Sequence, residues 1–310
     1  MTKKVEFSYP SRDGINQIHA VKWIPDKPVK AILQIVHGMI EYIDRYDELA
    51  NYLCDNGIMV VGNDHLGHGK TAKTKEDLGY FAEKDGSTIL VRDVHRLKKI
   101  IEEENQGIPY FILGFSMGSY VLRKYLTWYG KGIKGAIIAG SGQPDNAHIN
   151  MGLKAIKVSK ALHGDRYRSK VLDKLCFGNY NDKIESPRTK HDWLTTDEAV
   201  VDAYEKDELC TFIFTCEGFE ELLKMVKYDG ELEHVKKVPE DLPIFIIAGS
   251  DDPVGEYGAK IKTIYDLYLR SGLKYVTYNI YEGMRHEILN EKDKMRVWKD
   301  VLNWIEASCL

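Results

Sequence analysis

Phe111-Ile112-Leu113-Gly114-Phe115-Ser116-Met117-Gly118-Ser119 is the stretch that decides how this chain folds. An apolar, strand-like run ends at a serine with a glycine two residues away on each side. A helix-like run, 120–128, begins directly afterwards. This is the strand–turn–helix setting in which G-x-S-x-G forms a nucleophile elbow. Strand and helix backbones crowd together at so tight a turn, and glycine is the residue that fits there. The serine hydroxyl is then held out beyond the sheet edge.

Outward from the elbow, the pattern alternates. Toward the N-terminus, Ala31–Val36 and Ile58–Val61 are nearly continuous apolar runs, as expected of strands covered on both faces. Tyr46–Asn56 reads as a helix stopped by Gly57. Ile89–Glu103 carries Leu90, Val94, Leu97 and Ile101 at helical spacing. The first two strands, Val5–Tyr9 and Gln17–Trp23, flank the turn signal Ser11-Arg12-Asp13-Gly14 and read as an antiparallel pair. Toward the C-terminus, Gly135–Ala139 is another buried strand. The strand signature lapses over 143–237 and returns at Pro243–Ala248 and Tyr275–Tyr281, with helices at Lys260–Leu269 and Lys292–Ile305. Alternation of this kind predicts an α/β fold: a mostly parallel eight-stranded sheet with helices on both faces. Residues 1–142 and 238–310 form the core, and the helical patterns of 143–237 form an inserted cap. Within it Phe219, Leu222, Leu223 and Val226 share one helix face.

Composition narrows the function. A chain of 310 residues can bury roughly three quarters of its unfolded surface, so a large core is available. The net charge of −4, with no long basic run, gives no sign of a nucleic-acid partner. The five cysteines are scattered, contain no C-x-x-C, and read as reduced thiols. The N-terminus lacks the apolar segment of a signal peptide, and no run approaches the ~18 apolar residues of a membrane span. A cytoplasmic protein is expected.

A serine hydroxyl needs an adjacent base, and the base needs an orienting group. In chains with this elbow the acid follows a late strand and the histidine follows the last one. Gly249-Ser250-Asp251-Asp252-Pro253-Val254 and Glu282-Gly283-Met284-Arg285-His286 stand in those places. His286 is the expected general base and Asp252 its partner. Asp251 is a rival that spacing alone leaves open. The oxyanion donors are expected to be the backbone N–H of Met117, next to the serine, and that of Met39, in the loop His37-Gly38-Met39. Asp64-His65-Leu66-Gly67-His68-Gly69 invites a metal reading, but no further cluster completes four ligands, so it reads as a structural loop near the site floor and no metal is expected. Met151–Leu162 places Lys154, Lys157 and Lys160 among apolar residues. It is either a solvated lysine face on an ordinary cap helix or a surface for transient contact with a membrane.

With these elements placed, the chain resembles the monoacylglycerol lipase/lysophospholipase-type serine hydrolases. These belong to the α/β-hydrolase superfamily, among families related to serine aminopeptidases. The resemblance spans nearly the whole chain. It rests on His37-Gly38 with Glu41 and Tyr46, on Asp64-His65-x-Gly67-His68-Gly69, and on Gly114–Ser119. It continues through Asp252-Pro253-Val254-Gly255 and Arg285-His286-Glu287-x-x-Asn290-Glu291. In the insertion, Phe177-Gly178-x-Tyr180-Asn181 and Asp192-Trp193-Leu194 are similar to the cap of bacterial lysophospholipases. Two positions depart from the pattern: Thr71 stands where serine is frequent, and Phe115 where histidine is frequent. The resemblance implies the α/β-hydrolase fold, triad roles for Ser116, Asp252 and His286, no cofactor, and a glycerolipid or other acyl ester as substrate. Phe115, Phe212, Phe214 and Phe219 are expected to line the acyl pocket. A peptidase, thioesterase or acyltransferase, or a ligand-binding protein without catalysis, are the alternatives.

Overall fold

The alternation of apolar strands and amphipathic helices closes into one eight-stranded sheet in the computed structural model, which describes residues 2–309. The strands and helices follow in chain order as β1 (Lys3–Pro10), β2 (Gln17–Ile24), β3 (Ala31–Val36), α1 (Asp47–Asp55), β4 (Ile58–Asn63), α2 (Gly86–Glu104), β5 (Tyr110–Phe115), α3 (Met117–Tyr129) and β6 (Gly135–Ala139). Then come α4 (Asn146–His163), α5 (Lys170–Phe177), α6 (Glu198–Lys206), α7 (Cys216–Asp229) and α8 (Leu232–Val235), with no strand among them. The chain returns to the sheet with β7 (Ile244–Gly249), α9 (Ala259–Arg270), β8 (Val276–Tyr281) and α10 (Lys294–Cys309). Spatial order is β1-β2-β4-β3-β5-β6-β7-β8. The β1–β2 and β2–β4 pairs are antiparallel and all others parallel.

Both faces of the sheet are covered, which is why its central strands are apolar throughout. Leu33, Ile35, Leu113, Ile137 and Ile247 face α1 and α10. Ile32, Ile112, Ile138 and Ile246 face the other layer, with α2, α3 and α9. Gln34 is the polar exception in β3. Its amide is fully buried, donates to the Val94 carbonyl and accepts from the Tyr110 hydroxyl. Satisfying both ends removes most of the cost of burying an amide.

Three helices begin earlier than the sequence pattern predicts: α2 at Gly86, α3 at Met117 and α4 at Asn146. For α2 the reason is tertiary. The Ser87 N–H in its first turn donates to the carboxylate of Glu221, and the Phe81 N–H just upstream donates to Glu217. Both glutamates come from α7, more than a hundred residues later, and anchor the helical segment to the core. Burial pushes the Glu217 carboxyl up to about 7. All five cysteines are free thiols. Among the described residues no helix is long and apolar enough to cross a membrane.

The elbow is set by two contacts. A Cβ on Gly114 would lie 2.4 Å from the Gly118 carbonyl oxygen, and one on Gly118 would lie 1.9 Å from the Val36 carbonyl oxygen of β3. Neither obstacle is a side chain that can swing away. Gly118→Ala is therefore expected to destabilise the fold by about 3 kcal/mol or more, the upper end of overpacking costs. Denaturant unfolding of the variant against the parent checks this; equal midpoints would refute the packing argument.

Candidate active site

The parallel strands deliver the expected residues to one edge, at their carboxyl ends, where open α/β sheets place their ligand crevice. Ser116 follows β5, the His37-Gly38-Met39 loop follows β3, Asp252 follows β7 and His286 follows β8. Ser116 has φ +51° and ψ −119°, a strained setting for a residue with a side chain. Its N–H is tied to the Ala139 carbonyl (3.0 Å), and Ser119 Oγ donates to its carbonyl (2.6 Å).

Ser116 Oγ lies 2.9 Å from His286 Nε2, and His286 Nδ1 lies 3.0 Å from each oxygen of Asp252. Asp252 is fully buried and also accepts the Val254 N–H at 2.8 Å. Asp251, the rival, is exposed, and its carboxylate accepts from the Ser250 hydroxyl instead. A carboxylate on Nδ1 fixes the tautomer in which Nε2 can take a proton from the serine. Burial alone would push the His286 pKa down. The charge and hydrogen bond of Asp252, with the charges of Glu287 and Glu41, together outweigh it, and the ring ends above its ordinary value of 6.5. The arrangement can therefore activate a hydroxyl and stabilise the imidazolium that results.

The third-strand loop passes directly against the serine. A methyl group on Gly38 would lie 3.1 Å from Ser116 Cβ and 2.6 Å from Glu41 Oε1. The Met39 and Met117 N–H groups donate to no acceptor among the described residues. Glu41 and Glu287 were quoted as parts of motifs, but what joins them was not foreseen. Arg45 grips Glu287 with two hydrogen bonds (both 2.8 Å) and reaches Glu41 at 3.0 Å. Glu41 also accepts the Gly38 N–H (2.5 Å) and the Tyr46 hydroxyl (2.8 Å). The loop after β3 and the histidine loop are thus bridged by ion pairs. Burial raises the Glu41 carboxyl to about 7 against the pull of Arg45. Burial also opposes the ionised Glu287, but the guanidinium prevails and holds that carboxyl below its ordinary value. The sequence signal for Arg45 was its place four residues after Glu41, one helical turn away.

A cavity of about 280 Å³ opens over Ser116 and His286. Phe177, Trp193, Leu194, Tyr204 and Phe212 from the helical segment line it, with Phe115 and Val254 from the core. Phe115 and Phe212 are where the sequence suggested. Phe214 and Phe219 are corrections, since neither reaches the cavity. Phe214 is fully buried behind it, edge-on to Phe81 and His68, because it leads into the tight N-terminus of α7 against Gly79. Phe219 lies on the inward face of that helix, packed on Phe214. The Asp64–Gly69 loop packs under the site. Asp64 caps the Ile43 and Lys70 N–H groups, and the His65 and His68 rings pack on His37. Residues 192–196 are sewn to the histidine loop, with the Glu287 N–H on the Leu194 carbonyl (2.6 Å) and Arg285 on the Asp192 carbonyl (2.7 Å).

This architecture is the α/β-hydrolase fold, and its chemistry is that of enzymes which open acyl bonds through serine. The chain belongs to the family described as serine aminopeptidase, S33, whose model matches residues 27–293. It is 26% identical over 303 residues to the monoacylglycerol lipase of Mycolicibacterium smegmatis, covering 97% of this chain and 96% of the other. It is 27% identical over 282 residues to phospholipase YtpA of Bacillus subtilis, covering 89% and 95%. The crystal structure of a thermostable carboxyl esterase from Bacillus coagulans superposes with a TM-score of 0.92 at 28% identity, covering 100% of both chains. The protein is a carboxylic ester hydrolase.

Two substitutions check the acid. Asp252→Asn is expected to lower kcat by about 10⁴-fold, the cost of losing the tautomer-fixing carboxylate, while Asp251→Asn leaves it unchanged. The reverse ranking would refute the assignment. With His286 as the general base only its neutral form is active, so kcat/KM should fall with acid through a pKa above 6.5. In Asp252→Asn that limb should move to lower pH, because the group that raises the pKa is gone.

Proposed function

We propose that the protein hydrolyses acyl esters of the monoacylglycerol or lysophospholipid type through an acyl-enzyme on Ser116. The observation that carries this is the continuous hydrogen-bonded chain Ser116–His286–Asp252 at the base of an apolar cavity. His286 Nε2 takes the hydroxyl proton as Ser116 Oγ attacks the ester carbonyl. The N–H groups of Met39 and Met117 receive the developing oxyanion. His286 then passes the proton to the departing alcohol, and water enters. His286 removes a proton from that water, which attacks the acyl carbonyl, and returns it to Ser116 Oγ as the bond to the acyl group breaks and the acid leaves, while Asp252 keeps the ring oriented throughout. The long apolar wall of Phe177, Trp193, Leu194 and Phe212 suits an acyl chain better than a peptide. The relatives whose names specify monoacylglycerol lipase and phospholipase point the same way.

In this reading residues 143–237 act as a cap over a core made of 1–142 and 238–310, and the protein works in a reducing compartment such as the cytoplasm, in keeping with five free thiols. The cap also supplies a surface for meeting a lipid aggregate. Leu162 is 72% and Val171 70% exposed, next to Met151, Val158 and Leu175 on α4 and α5. Exposed Lys154 and Lys157 rim this apolar patch. Asp173, Lys174 and Phe177 of α5 line the cavity, so the helix that carries Val171 and Leu175 outward also faces the site. Exposed apolar side chains with lysines beside them on the same helix fit an anionic lipid interface.

A fluorophosphonate probe should label the parent protein and leave Ser116→Ala unlabelled. Labelling of Ser116→Ala would remove the nucleophile assignment. On a panel of monoacylglycerols, lysophospholipids, p-nitrophenyl esters and aminoacyl amides, the acyl esters should turn over fastest. Faster cleavage of the amides would overturn the lipid-ester reading. In co-sedimentation, anionic vesicles should retain the parent more than a Leu162→Asp/Val171→Asp variant. Equal recovery of both would favour a merely solvated cap face.

A further inference from the structure

We propose that His37 is a positioning residue for the reaction: it orients the Met39 N–H as an oxyanion donor. This rests on the assignment of Met39 made above. The neutral imidazole of His37 is a donor and an acceptor at once, and the structure fixes which nitrogen is which. His37 Nε2 accepts the His65 backbone N–H at 2.9 Å, so it carries a lone pair. The ring proton is therefore on Nδ1, which donates to the Gly38 carbonyl at 2.8 Å. The ring is fully buried, and the His65 and His68 rings pack on it at centroid distances of 4.3 and 5.2 Å. Burial and these neighbours keep it neutral by pushing its pKa well below 6.5.

The Gly38 carbonyl and the Met39 N–H belong to one peptide plane. In a trans peptide they point in opposite directions, and no cis peptide occurs among the described residues. Drawing the carbonyl onto the His37 ring therefore turns the Met39 N–H to the other side, away from the histidine cluster. Met39 and Ser116 both line the cavity. The preceding peptide is held as well, by the Gly38 N–H on Glu41 Oε1. Gly38 needs such support. It has no side chain because Ser116 and Glu41 leave no room for one, and glycine is the residue freest to rotate both of its peptides. Oxyanion stabilisation depends on donors already aligned before charge develops. A side chain must supply the alignment that glycine cannot.

Two variants separate the two ring nitrogens. His37→Asn carries its amide nitrogen near the Nδ1 position and retains a donor for the Gly38 carbonyl. His37→Gln reaches the Nε2 position and retains the acceptor for His65 only. Each is assayed on an ester and on the matching thionoester, in which sulfur replaces the carbonyl oxygen and hydrogen-bonds poorly to a site shaped for oxygen. For His37→Gln, kcat on the ester should fall by about 10- to 100-fold, less than the full loss of a donor, with KM unchanged. The ester-to-thionoester ratio should fall with it. His37→Asn should keep both. A His37→Gln enzyme with the parental ratio overturns the proposal, even if slower, since general damage slows both substrates alike. If His37→Gln does not fold, His37→Asn decides: a retained ratio supports the proposal and a collapsed one overturns it. Absence of ester preference in the parent enzyme would instead overturn the oxyanion assignment itself.

Discussion

Everything at this site depends on how closely α3 approaches β3 beneath the elbow. The α-carbon of Gly118 sits where any side chain would strike the Val36 carbonyl, and the His37 carbonyl is the next obstacle at 2.6 Å. One contact therefore joins the start of the nucleophile helix to the start of the third-strand loop. It holds Ser116 at its positive φ, brings the Met117 N–H to the cavity end of α3, and sets the Met39 loop alongside. At the first turn of a helix the N–H groups are free and the helix dipole adds positive potential. A tight packing constraint in the core thus becomes an electrostatic feature at the surface.

The charges around the triad complement that arrangement. Glu41 and Glu287 both favour the protonated form of His286, after Asp252, which contributes most. Arg45 makes it possible to bury the two glutamates so near each other, since a buried charge without a partner is costly. In the proposed mechanism the carboxylates stabilise the imidazolium during attack, while backbone dipoles rather than a cationic side chain receive the oxyanion.

Much of this was legible before any coordinates, and for identifiable reasons. Buried parallel strands announce themselves as apolar runs, so β3 and β6 were bounded to the residue. Glycine spacing marks the elbow because sterics admit no substitute. The acid and histidine could be found because both must follow strands that end at the same edge. What escaped depends on long-range partners. The early start of α2 needs Glu221 of α7, and the role of Arg45 needs Glu287, 242 residues away. Asp252 and Asp251 are neighbours in sequence, and only the turn after β7 sends one inward and leaves the other in solvent. Phe214 and Phe219 show the limit of counting aromatics in a cap: rings near a cavity are as readily packed behind its wall as within it.

The buried ion-pair bridge also bears on how a turnover ends. Hydrolysis of an ester leaves a carboxylic acid, which ionises at neutral pH. The emptied site then holds Asp252 and Glu287 beside the guanidinium of Arg45, with Glu41 raised by burial to about 7 and Lys174 and Lys190 farther out on the cavity wall. An uncharged ester group meets these carboxylates without ionic repulsion, whereas a carboxylate beside Ser116 lies close to the Asp252 and Glu287 charges in a setting where screening by water is weak. The same charges that help the histidine accept a proton thus disfavour the ionised acid beside Ser116, so one pair of carboxylates bears on both the start and the end of a turnover.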